Sequence, residues 1–383
     1  MRIASAASIA DLARLARRRL PAFVFNYIEG GAGEDCGVLR NEAAFRNILF
    51  RVRRFAGLAA AAPVELFGRT YAQPFGIAPI GMANLAWPGT DLTLARLAQR
   101  ENIPYVLSTA GTTSIERVAA VAPDVAWFQL YLSRDDRITD DMIRRAWDAG
   151  IRVLVFTVDV PIASRRNRAI RDGFSLPFRY TGRLVADLAT HPLWSVATLR
   201  AGVPNLETYA KYAESGDLQV VGQFIAQLNK NGFDWDDLRR VRHLWKGTLV
   251  VKGVLAAEDA AEAVRIGADA IWVSNHGGRQ LESAPASIDA LGPIRAAVGT
   301  AVPVLFDGGI RGGEDIIKAR ALGADMSFSG RCFAYGVGAG GEPGAAKAFE
   351  ILARETLTSL TQIGCPSILE ADRSILLDQK DRT

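Results

Sequence analysis

Short apolar runs rich in β-branched residues alternate along the chain with longer amphipathic segments. Eight such runs lie at 75–78, 104–108, 126–131, 152–158, 248–252, 269–274, 302–307 and 325–330. They are continuously apolar, as expected for strands of a parallel sheet that is covered on both faces. Segments typical of helices follow them near 90–101, 114–121, 136–149, 221–245, 256–267, 287–298, 312–323 and 343–362. Eight strand–helix units predict an α/β fold of the (β/α)8, or TIM barrel, type.

The barrel prediction divides the 383 residues into a core and two additions within a single domain, 1–383. Residues 1–72 precede the first strand and are expected to form a helical extension that caps the barrel, which spans 73–365. The connection at 176–220, between the fourth strand and its helix, is much longer than the others. A loop of that length is usually functional or mobile.

The arginine-rich start of the chain could suggest a transit peptide. However, Ser8 stands at an N-cap position, Asp11 falls in the first turn, and Pro21 follows the last turn. These are the signals of an ordinary capped helix, which is the interpretation they favour.

Composition excludes several classes of function. No apolar run approaches the roughly 20 residues of a membrane span, and the net charge of +4 comes without a basic run interleaved with aromatic residues. The chain is therefore not expected to bind nucleic acid. Three widely spaced cysteines indicate a reducing compartment, with neither a disulfide framework nor a metal site.

One loop carries the strongest candidate chemistry. The segment 273–281, Val-Ser-Asn-His-Gly-Gly-Arg-Gln-Leu, follows the sixth predicted strand. His276 can take a proton near neutral pH, and Arg279, three residues later, can hold a carboxylate at two points. The alternative interpretation is that this glycine-rich segment is only a turn.

Polar or small residues follow nearly every predicted strand, at the rim where barrel enzymes hold their active sites. The clearest group follows the seventh and eighth strands. It predicts a phosphate cradle made of backbone N–H groups and two cations, and it comprises Gly308, Gly309, Gly312, Gly313, Arg311 and Arg331. The alternative is an ordinary strand–helix turn with solvated arginines.

The loop at 273–281 resembles the active-site signature of the FMN-dependent α-hydroxy-acid dehydrogenases and oxidases. The resemblance extends over almost the whole chain and includes further motifs in the same order, at 27–32, 127–131, 157–159, 251–253 and 307–311. It implies a flavoprotein that binds FMN and oxidises an (S)-2-hydroxy acid to the 2-oxo acid.

The resemblance also implies roles for individual residues. His276 would be the active-site base, Asp159 would stabilise its protonated form, and Lys252 would lie beside the N1/O2 edge of the flavin. Tyr131 would contact the substrate near the reacting hydroxyl. The substrate would further be held by Tyr27, Arg166, Arg279, Gly81 and Ala110.

The residues that the resemblance assigns to FMN come from all around the barrel. They contact the ring, the ribityl chain or the phosphate, and they are Ala78, Pro79, Ile80, Gly81, Ser108, Gln129, Thr157, Lys252, Ser274, Asp307, Gly308, Gly309, Arg311, Gly330 and Arg331. Whether the base removes the C2 proton or the hydroxyl proton cannot be decided from these residues.

The chain departs from the family pattern at a few positions. Ile80 stands where many members have threonine, which removes one hydroxyl near the flavin. Asn167 and Ala169 replace acidic residues, which predicts a weaker salt-bridge lattice after Arg166. Arg165 adjoins Arg166, and the sequence distance from Asp159 assigns the substrate contact to Arg166.

Small side chains indicate the size of the substrate. Ala110 occupies a position where glycolate oxidases carry tryptophan, and Gly81 is also small, so a mandelate-like or other large 2-hydroxy acid is expected. Gly81 and the long loop look more like the bacterial mandelate and L-lactate dehydrogenases, which implies electron transfer to a quinone. An O2-using oxidase that forms hydrogen peroxide, and an L-lactate dehydrogenase, remain the alternatives.

The long loop mixes apolar residues such as Leu193 and Trp194 with arginines. This composition suits a peripheral membrane contact through 176–216 on the inner face of the cell membrane. A disordered or lid loop without a membrane role is the alternative. The resemblance also implies a homotetramer. A nicotinamide site at 336–341, which fits G-x-G-x-x-G, is rejected because these glycines open no strand–helix–strand unit.

Overall fold

A computed structural model describes residues 2–53, 60–172, 181–213, 230 and 232–377. Eight parallel strands close into a barrel in the order β10-β3-β4-β5-β6-β7-β8-β9. The strands of the described chain are β1 (Val64–Leu66), β2 (Arg69–Tyr71), β3 (Phe75–Ile77), β4 (Tyr105–Ser108), β5 (Ala126–Leu130), β6 (Val153–Thr157), β7 (Thr248–Val254), β8 (Ala270–Val273), β9 (Val304–Phe306) and β10 (Met326–Ser329). The predicted barrel is confirmed, and each of its strands overlaps the apolar run that predicted it.

Helices surround the barrel and follow its strands. After β3 they are Thr90–Glu101, Ile115–Val121, Asp136–Asp148, Asn167–Arg171, Gly182–Thr190, Pro192–Ala201, Glu207–Ala210, Trp235–Leu244, Ala257–Ile266, Ser287–Val298, Gly313–Ala321, Arg331–Gly340 and Glu342–Ile363. The predicted helix at 221–245 is observed from Trp235, and its part at 221–229 lies outside the described residues.

The N-terminal extension contains the helices Ile9–Arg19, Ala22–Glu29 and Cys36–Arg46. The first begins as predicted, because Ser8 accepts a hydrogen bond from the Asp11 amide and Asp11 accepts one from the Ser8 amide, at 3.3 and 3.1 Å. The extension is not wholly helical, because β1 and β2 form an antiparallel hairpin. The sequence did not predict this hairpin, since each of its strands has only three residues.

Aromatic side chains fill the interior of the barrel. Trp127 on β5 contacts Phe328 on β10 with ring centroids 5.5 Å apart, and Phe328 contacts Trp272 on β8 at 4.1 Å. These strands are not neighbours, so the rings meet inside the barrel. Phe67, at the turn of the hairpin, packs on Trp127 at 5.5 Å, so the hairpin covers the interior from outside.

Of the glycines rejected as a nucleotide loop, all but Gly341 lie in the helix Arg331–Gly340, which was not predicted as a separate helix. Gly341 lies between this helix and the next. A Cβ on Gly338 would lie 2.7 Å from Leu20 and 3.2 Å from Ala16, so this glycine allows the helix to pack closely against Ile9–Arg19. Gly336 meets Gly344 of the next helix even more closely, because a Cβ on Gly344 would lie 1.9 Å from the Gly336 oxygen. The glycine spacing at 336–341 therefore allows these helices to pack closely against their neighbours.

Replacing Gly344 by alanine is expected to destabilise the protein by about 1–3 kcal/mol, because the added methyl group forces two helix backbones apart. Chemical denaturation followed by circular dichroism measures this free energy of unfolding. Gly292 is a matched control, since it is also helical and nothing lies within 4 Å of its Cβ position. Gly292→Ala is expected to be neutral or slightly stabilising. Equal effects of the two changes would contradict the packing argument.

The long connection after β6 is partly helical rather than an irregular loop. Its described part contains Gly182–Thr190, Pro192–Ala201 and Glu207–Ala210, while 173–180 and 214–229 lie outside the described residues. Within the described chain, no helix has the length and apolarity needed to cross a bilayer.

Candidate active site

A cavity of about 550 Å³ opens at the carboxyl ends of the barrel strands. Its walls come from the strand ends, from Tyr27 of the N-terminal extension and from the segment after β6. The structure brings together at this cavity nearly all the predicted site residues, namely Tyr27, Ala78, Pro79, Ile80, Gly81, Ser108, Ala110, Gln129, Tyr131, Thr157, Arg166, Lys252, His276, Arg279, Asp307, Gly308, Gly309, Arg311, Gly330 and Arg331. Asp159 and Ser274 lie behind this lining and contact residues that belong to it.

The loop that carries His276 has an unusual backbone, which a buried asparagine pair holds in place. His276, Gly277 and Gly278 have φ values of 58°, 64° and 76°. Asn275 accepts a hydrogen bond from the Gly278 amide at 3.0 Å, and it exchanges two side-chain hydrogen bonds with Asn41 at 2.8 and 2.9 Å. The loop is therefore a rigid support for His276 and not a solvated turn.

His276 is paired with a buried carboxylate. Its Nδ1 lies 2.9 Å from Oδ1 of Asp159, and 22% of the His276 side chain is exposed. Burial, with the charges of Lys252 and Arg166, lowers the pKa of His276 although Asp159 opposes this. Burial alone would raise the pKa of Asp159, but His276 and Lys252 outweigh it and hold this pKa below its usual range. At neutral pH the pair is thus an ionised aspartate and a neutral imidazole, as a base requires.

Lys252 extends from β7 into a buried polar network. Its Nζ donates to Ser274 Oγ at 2.9 Å, and it lies 3.3 Å from Asp307 and 3.9 Å from Asp159. Ser274 in turn donates to Asp307. Only 3% of the lysine side chain is exposed, so its position is tightly defined. A buried ammonium at the cavity wall can stabilise negative charge that develops on a bound group.

Four arginines line the cavity, namely Arg166, Arg279, Arg311 and Arg331. Burial, with the charges of Arg166 and Arg331, pushes the pKa of Arg279 well below its ordinary value. Burial and the charge of Arg311 likewise lower the pKa of Arg331. A guanidinium stays charged in proteins, so the lowered pKa values reflect the electrostatic cost of burying these positive charges together. A bound anion would reduce that cost.

Two of these arginines also hold the N-terminal extension in place through hydrogen bonds to its carbonyl oxygens. Arg279 Nη1 donates to the carbonyl oxygens of Tyr27 and Gly30 at 2.9 and 2.6 Å. Arg331 donates to the carbonyl oxygens of Ile28 and Gly277 at 3.2 and 2.8 Å. The carbonyl end of a helix attracts cations, so these bonds place the helix Ala22–Glu29 against the cavity.

The phosphate cradle is smaller than the sequence suggested. Gly308 and Gly309, with φ of 106° and 105°, line the cavity, as does Gly330 at the start of the helix Arg331–Gly340. The prediction that Gly312 and Gly313 contribute their N–H groups is wrong. Those amides donate to Asp315 and Glu355, at 3.1 and 2.9 Å, and cap the following helix.

Two tyrosines and one further arginine complete the wall. The Tyr27 hydroxyl donates to the carbonyl oxygen of Gly81 at 2.9 Å. Burial, with the charge of Asp159, raises the pKa of Tyr131 well above its ordinary value, so its hydroxyl remains a donor. Of the adjacent arginines, Arg166 lines the cavity, whereas Arg165 accepts a backbone hydrogen bond from Gly33 and is not part of the lining.

A salt-bridge lattice is present after Arg166, but its carboxylates lie on the N-terminal extension. Arg168 pairs with Asp35, and Arg171 pairs with Glu34 at 2.7 Å. The Asn167 side chain donates to Glu34 at 2.6 Å. The missing acidic residues are thus offset by acidic residues of the N-terminal extension.

Three side chains that line the cavity have a buried polar atom with no hydrogen-bond partner among the described residues. They are Gln129 Nε2 and Thr157 Oγ1, at the ends of neighbouring strands β5 and β6, and Gln280 Oε1. A buried donor left unpaired costs about 1–3 kcal/mol, so these atoms indicate a ligand with matching polar groups. Together with Lys252 and the arginines, they fit a flat heteroaromatic ring that carries a phosphate.

Sequence reasoning missed several residues of the site. Asn41 supports the His276 loop from 234 positions away, and no local signal marks it. Ile162, Ile170 and Phe233 form an apolar part of the cavity wall. They belong to segments that flank the long connection, where the periodicity is weakest.

A histidine–aspartate pair, a buried lysine and several arginines meet at one cavity of this barrel, and this set is suited to acid–base chemistry on an anionic substrate. The chain belongs to the FMN-dependent dehydrogenase family, whose model matches residues 16–378. It is therefore an enzyme, its cofactor is FMN, and its substrates are 2-hydroxy acids.

Individual relatives are similar over nearly their full length. The chain is 37% identical to (S)-mandelate dehydrogenase of Pseudomonas putida over 362 residues, which cover 94% of this chain and 91% of that protein. It is 37% identical to L-lactate dehydrogenase of Stenotrophomonas maltophilia (strain K279a), with 96% and 97% covered. A crystal structure described as monotopic membrane protein (S)-mandelate dehydrogenase superposes with a TM-score of 0.94 at 36% identity, covering 98% of this chain and 100% of that chain.

Proposed function

We propose that this enzyme oxidises a large, mandelate-like (S)-2-hydroxy acid to the 2-oxo acid, with His276 as the base, and passes the electrons to a quinone. The observation that carries the proposal is the common cavity of His276, Arg279 and Tyr131. An imidazole, a guanidinium and a phenol hydroxyl thus border one space, which supports assigning them the roles of base, carboxylate ligand and hydroxyl donor.

The chain's own residues divide the chemistry between them. Arg279 and Arg166 bind the substrate carboxylate, while Tyr27 and Tyr131 orient it. His276 takes a proton from the substrate, and Asp159 stabilises the imidazolium that forms. When bound, FMN would supply the acceptor for the two electrons and for the second proton that the substrate loses. Gln129, Thr157 and Ser108 would hold its ring, and Lys252 would offset negative charge there. Asp307 would bind its ribityl chain, and Arg311 and Arg331 would bind its phosphate.

Asp159→Asn is expected to change both the rate and its pH dependence. The base must be neutral, so kcat/KM falls as the pH drops through the lowered pKa of His276, below its ordinary value of 6.5. Asparagine removes the carboxylate that raises this pKa, so the acidic limb should move to still lower pH. The plateau rate should fall about 100-fold, because the imidazolium loses its counter-ion.

A pH–rate profile of kcat/KM for the wild type and Asp159→Asn checks both effects. Unchanged flavin absorbance would show that FMN stays bound in the variant. An acidic limb that moved to higher pH would contradict the proposed pairing.

Two small residues support a large substrate. A Cβ on Gly81 would lie 3.4 Å from the Cβ of Ala110 and 3.6 Å from the Tyr27 hydroxyl, so both residues border the same space. Ala110→Trp should lower kcat/KM for (S)-mandelate about 100-fold and leave that for L-lactate nearly unchanged. Equal losses for both substrates would contradict the assignment of Ala110 to the side-chain pocket.

Anaerobic bleaching of the flavin by a panel of 2-hydroxy acids tests the proposed reaction directly. (S)-Mandelate is expected to bleach it faster than L-lactate, and (R)-mandelate is expected not to bleach it. Absence of bleaching by every 2-hydroxy acid would overturn the proposal. With oxygen present, peroxide formation as fast as the reduction of a quinone analogue would instead identify an oxidase.

The segment at 182–201 supports a peripheral membrane contact. Its inner side is attached to the protein, since Trp194 donates to the carbonyl of Leu85 at 3.0 Å and Asp187 accepts from the Ala22 amide at 2.8 Å. Its outer side presents Leu193 and Leu199, which are 70% and 84% exposed. Exposed leucines on an attached helix are suited to insertion at a lipid interface.

Co-sedimentation with anionic phospholipid vesicles tests this contact. The double variant Leu193→Glu/Leu199→Glu should lose most of its binding while keeping its rate with a soluble acceptor. Leu39→Glu/Leu369→Glu is the matched control, because those leucines are 64% and 57% exposed elsewhere. Equal binding by both variants would overturn the membrane proposal. The proposed location on the inner face of the membrane, and the homotetramer, rest on the family alone; light scattering measures the latter.

A further inference from the structure

Glu42 lies close to the proposed phosphate site but outside the cavity lining. It belongs to the helix Cys36–Arg46, and its Oε1 is 3.0 Å from Nη2 of Arg311. About a quarter of each side chain is exposed, so the ion pair is only partly screened by solvent. Arg311 faces the cavity, whereas the carboxylate approaches it from the extension.

Arg311 makes two further hydrogen bonds besides its ion pair with Glu42. Its Nη1 donates to the carbonyl oxygen of Ile310 at 3.0 Å, and its backbone amide donates to Asp315 at 2.8 Å. Glu42 is also 3.7 Å from Arg46, which offers it a second partner. The Glu42–Arg311 pair therefore places a negative charge directly beside a guanidinium that has another hydrogen-bond acceptor.

We propose that Glu42 weakens FMN binding by opposing the cofactor's phosphate at Arg311, so that Glu42 sets how readily this enzyme releases FMN. The inference rests on the proposed function only in placing the phosphate at Arg311. A carboxylate and a phosphate dianion that share one guanidinium repel each other at short range, and solvent exposure reduces this repulsion without removing it. Glu42 is thus a residue that acts through Arg311.

Glu42→Gln keeps the side-chain length and a carbonyl acceptor for Arg311 but removes the charge. FMN should then bind about tenfold more tightly, which corresponds to about 1.4 kcal/mol. Riboflavin lacks the phosphate, so its affinity should stay the same. The ratio of the riboflavin and FMN dissociation constants should therefore rise about tenfold.

Both constants can be measured on the holoenzyme. Serial dilution followed by ultrafiltration and chromatography gives the free FMN, and competition with added riboflavin gives the second constant. Glu262→Gln is the matched control, because it removes the same charge from a surface ion pair with Arg265. Thermal unfolding of each variant checks that the fold is kept, and Glu42→Ala provides a second uncharged variant.

Several outcomes would overturn the inference. One is weaker FMN binding by Glu42→Gln, which would mean that Glu42 organises Arg311 for the phosphate. Another is an equal change for FMN and riboflavin, or no change for either. Arg311→Met separates this from a failure of the proposed site: it should lower FMN affinity and abolish the effect of Glu42→Gln. If Arg311→Met leaves the riboflavin-to-FMN ratio unchanged, the phosphate lies elsewhere and the proposed cofactor site itself is wrong.

Discussion

Replacing His276 by asparagine is expected to slow flavin reduction by (S)-mandelate about 10⁴-fold while FMN remains bound. Asparagine suits the backbone at this position, because His276 has a φ of 58° and asparagine tolerates that conformation better than most residues. Its amide can also face Asp159. What it cannot do is take a proton, so the loss should equal the contribution of a general base, up to about 10⁴-fold.

Anaerobic stopped-flow measurement of flavin bleaching gives this rate without any contribution from the electron acceptor. The dissociation constant for mandelate, taken from the concentration dependence of bleaching, should change little. If the variant loses its flavin, His276 has a structural role. If the rate constant is kept and only the substrate dissociation constant rises, His276 binds substrate but is not the base.

Arg279→Met is expected to lower kcat/KM for 2-hydroxy acids about 10³-fold. Removing one partner of a buried, hydrogen-bonded charge pair costs about 2–5 kcal/mol. Among the described residues, the hydrogen bonds of Arg279 involve Nη1 only, to carbonyl oxygens of the extension. The remaining edge of the guanidinium can therefore bind a carboxylate.

A neutral substrate separates the two roles of Arg279. Methyl mandelate carries no carboxylate, so the wild type should prefer the acid strongly and Arg279→Met should lose that preference. If Arg279 mainly seats the helix that carries Tyr27, acid and ester should lose activity equally. Arg279→Lys should recover only part of the loss, since an ammonium cannot form the two-point contact.

Much of the fold was predictable because its strands are buried on both sides. A continuous apolar run such as 153–157 has no amphipathic alternative, and the regular strand–helix order admits few topologies. The hairpin of β1 and β2 escaped prediction because three-residue strands have no measurable period. The helix Arg331–Gly340 escaped because glycine disfavours helices, and its glycines are explained only by neighbouring helices.

Site residues that directly follow a barrel strand could be predicted from the sequence. Residues that support the site from distant parts of the chain could not. The barrel geometry brings His276 and Lys252 to the same rim, so their positions could be inferred from chain order. Asn41 and Glu42 act through Asn275 and Arg311 across the N-terminal extension, and only the folded structure shows those contacts. Gly312 and Gly313 were misassigned because the sequence does not reveal which carboxylates accept from their amides.

The bonds from two arginines to the end of the helix Ala22–Glu29 also constrain how the protein is made. They join Arg279 to Tyr27 across 252 positions and Arg331 to Ile28 across 303. A nascent chain thus exposes this helix long before the ribosome has synthesised the residues that hold it. Contacts so distant in sequence close late and slowly in folding. The cavity can therefore be completed only after Arg331 has been synthesised, and capture of the yellow cofactor is expected to mark the chains that have folded.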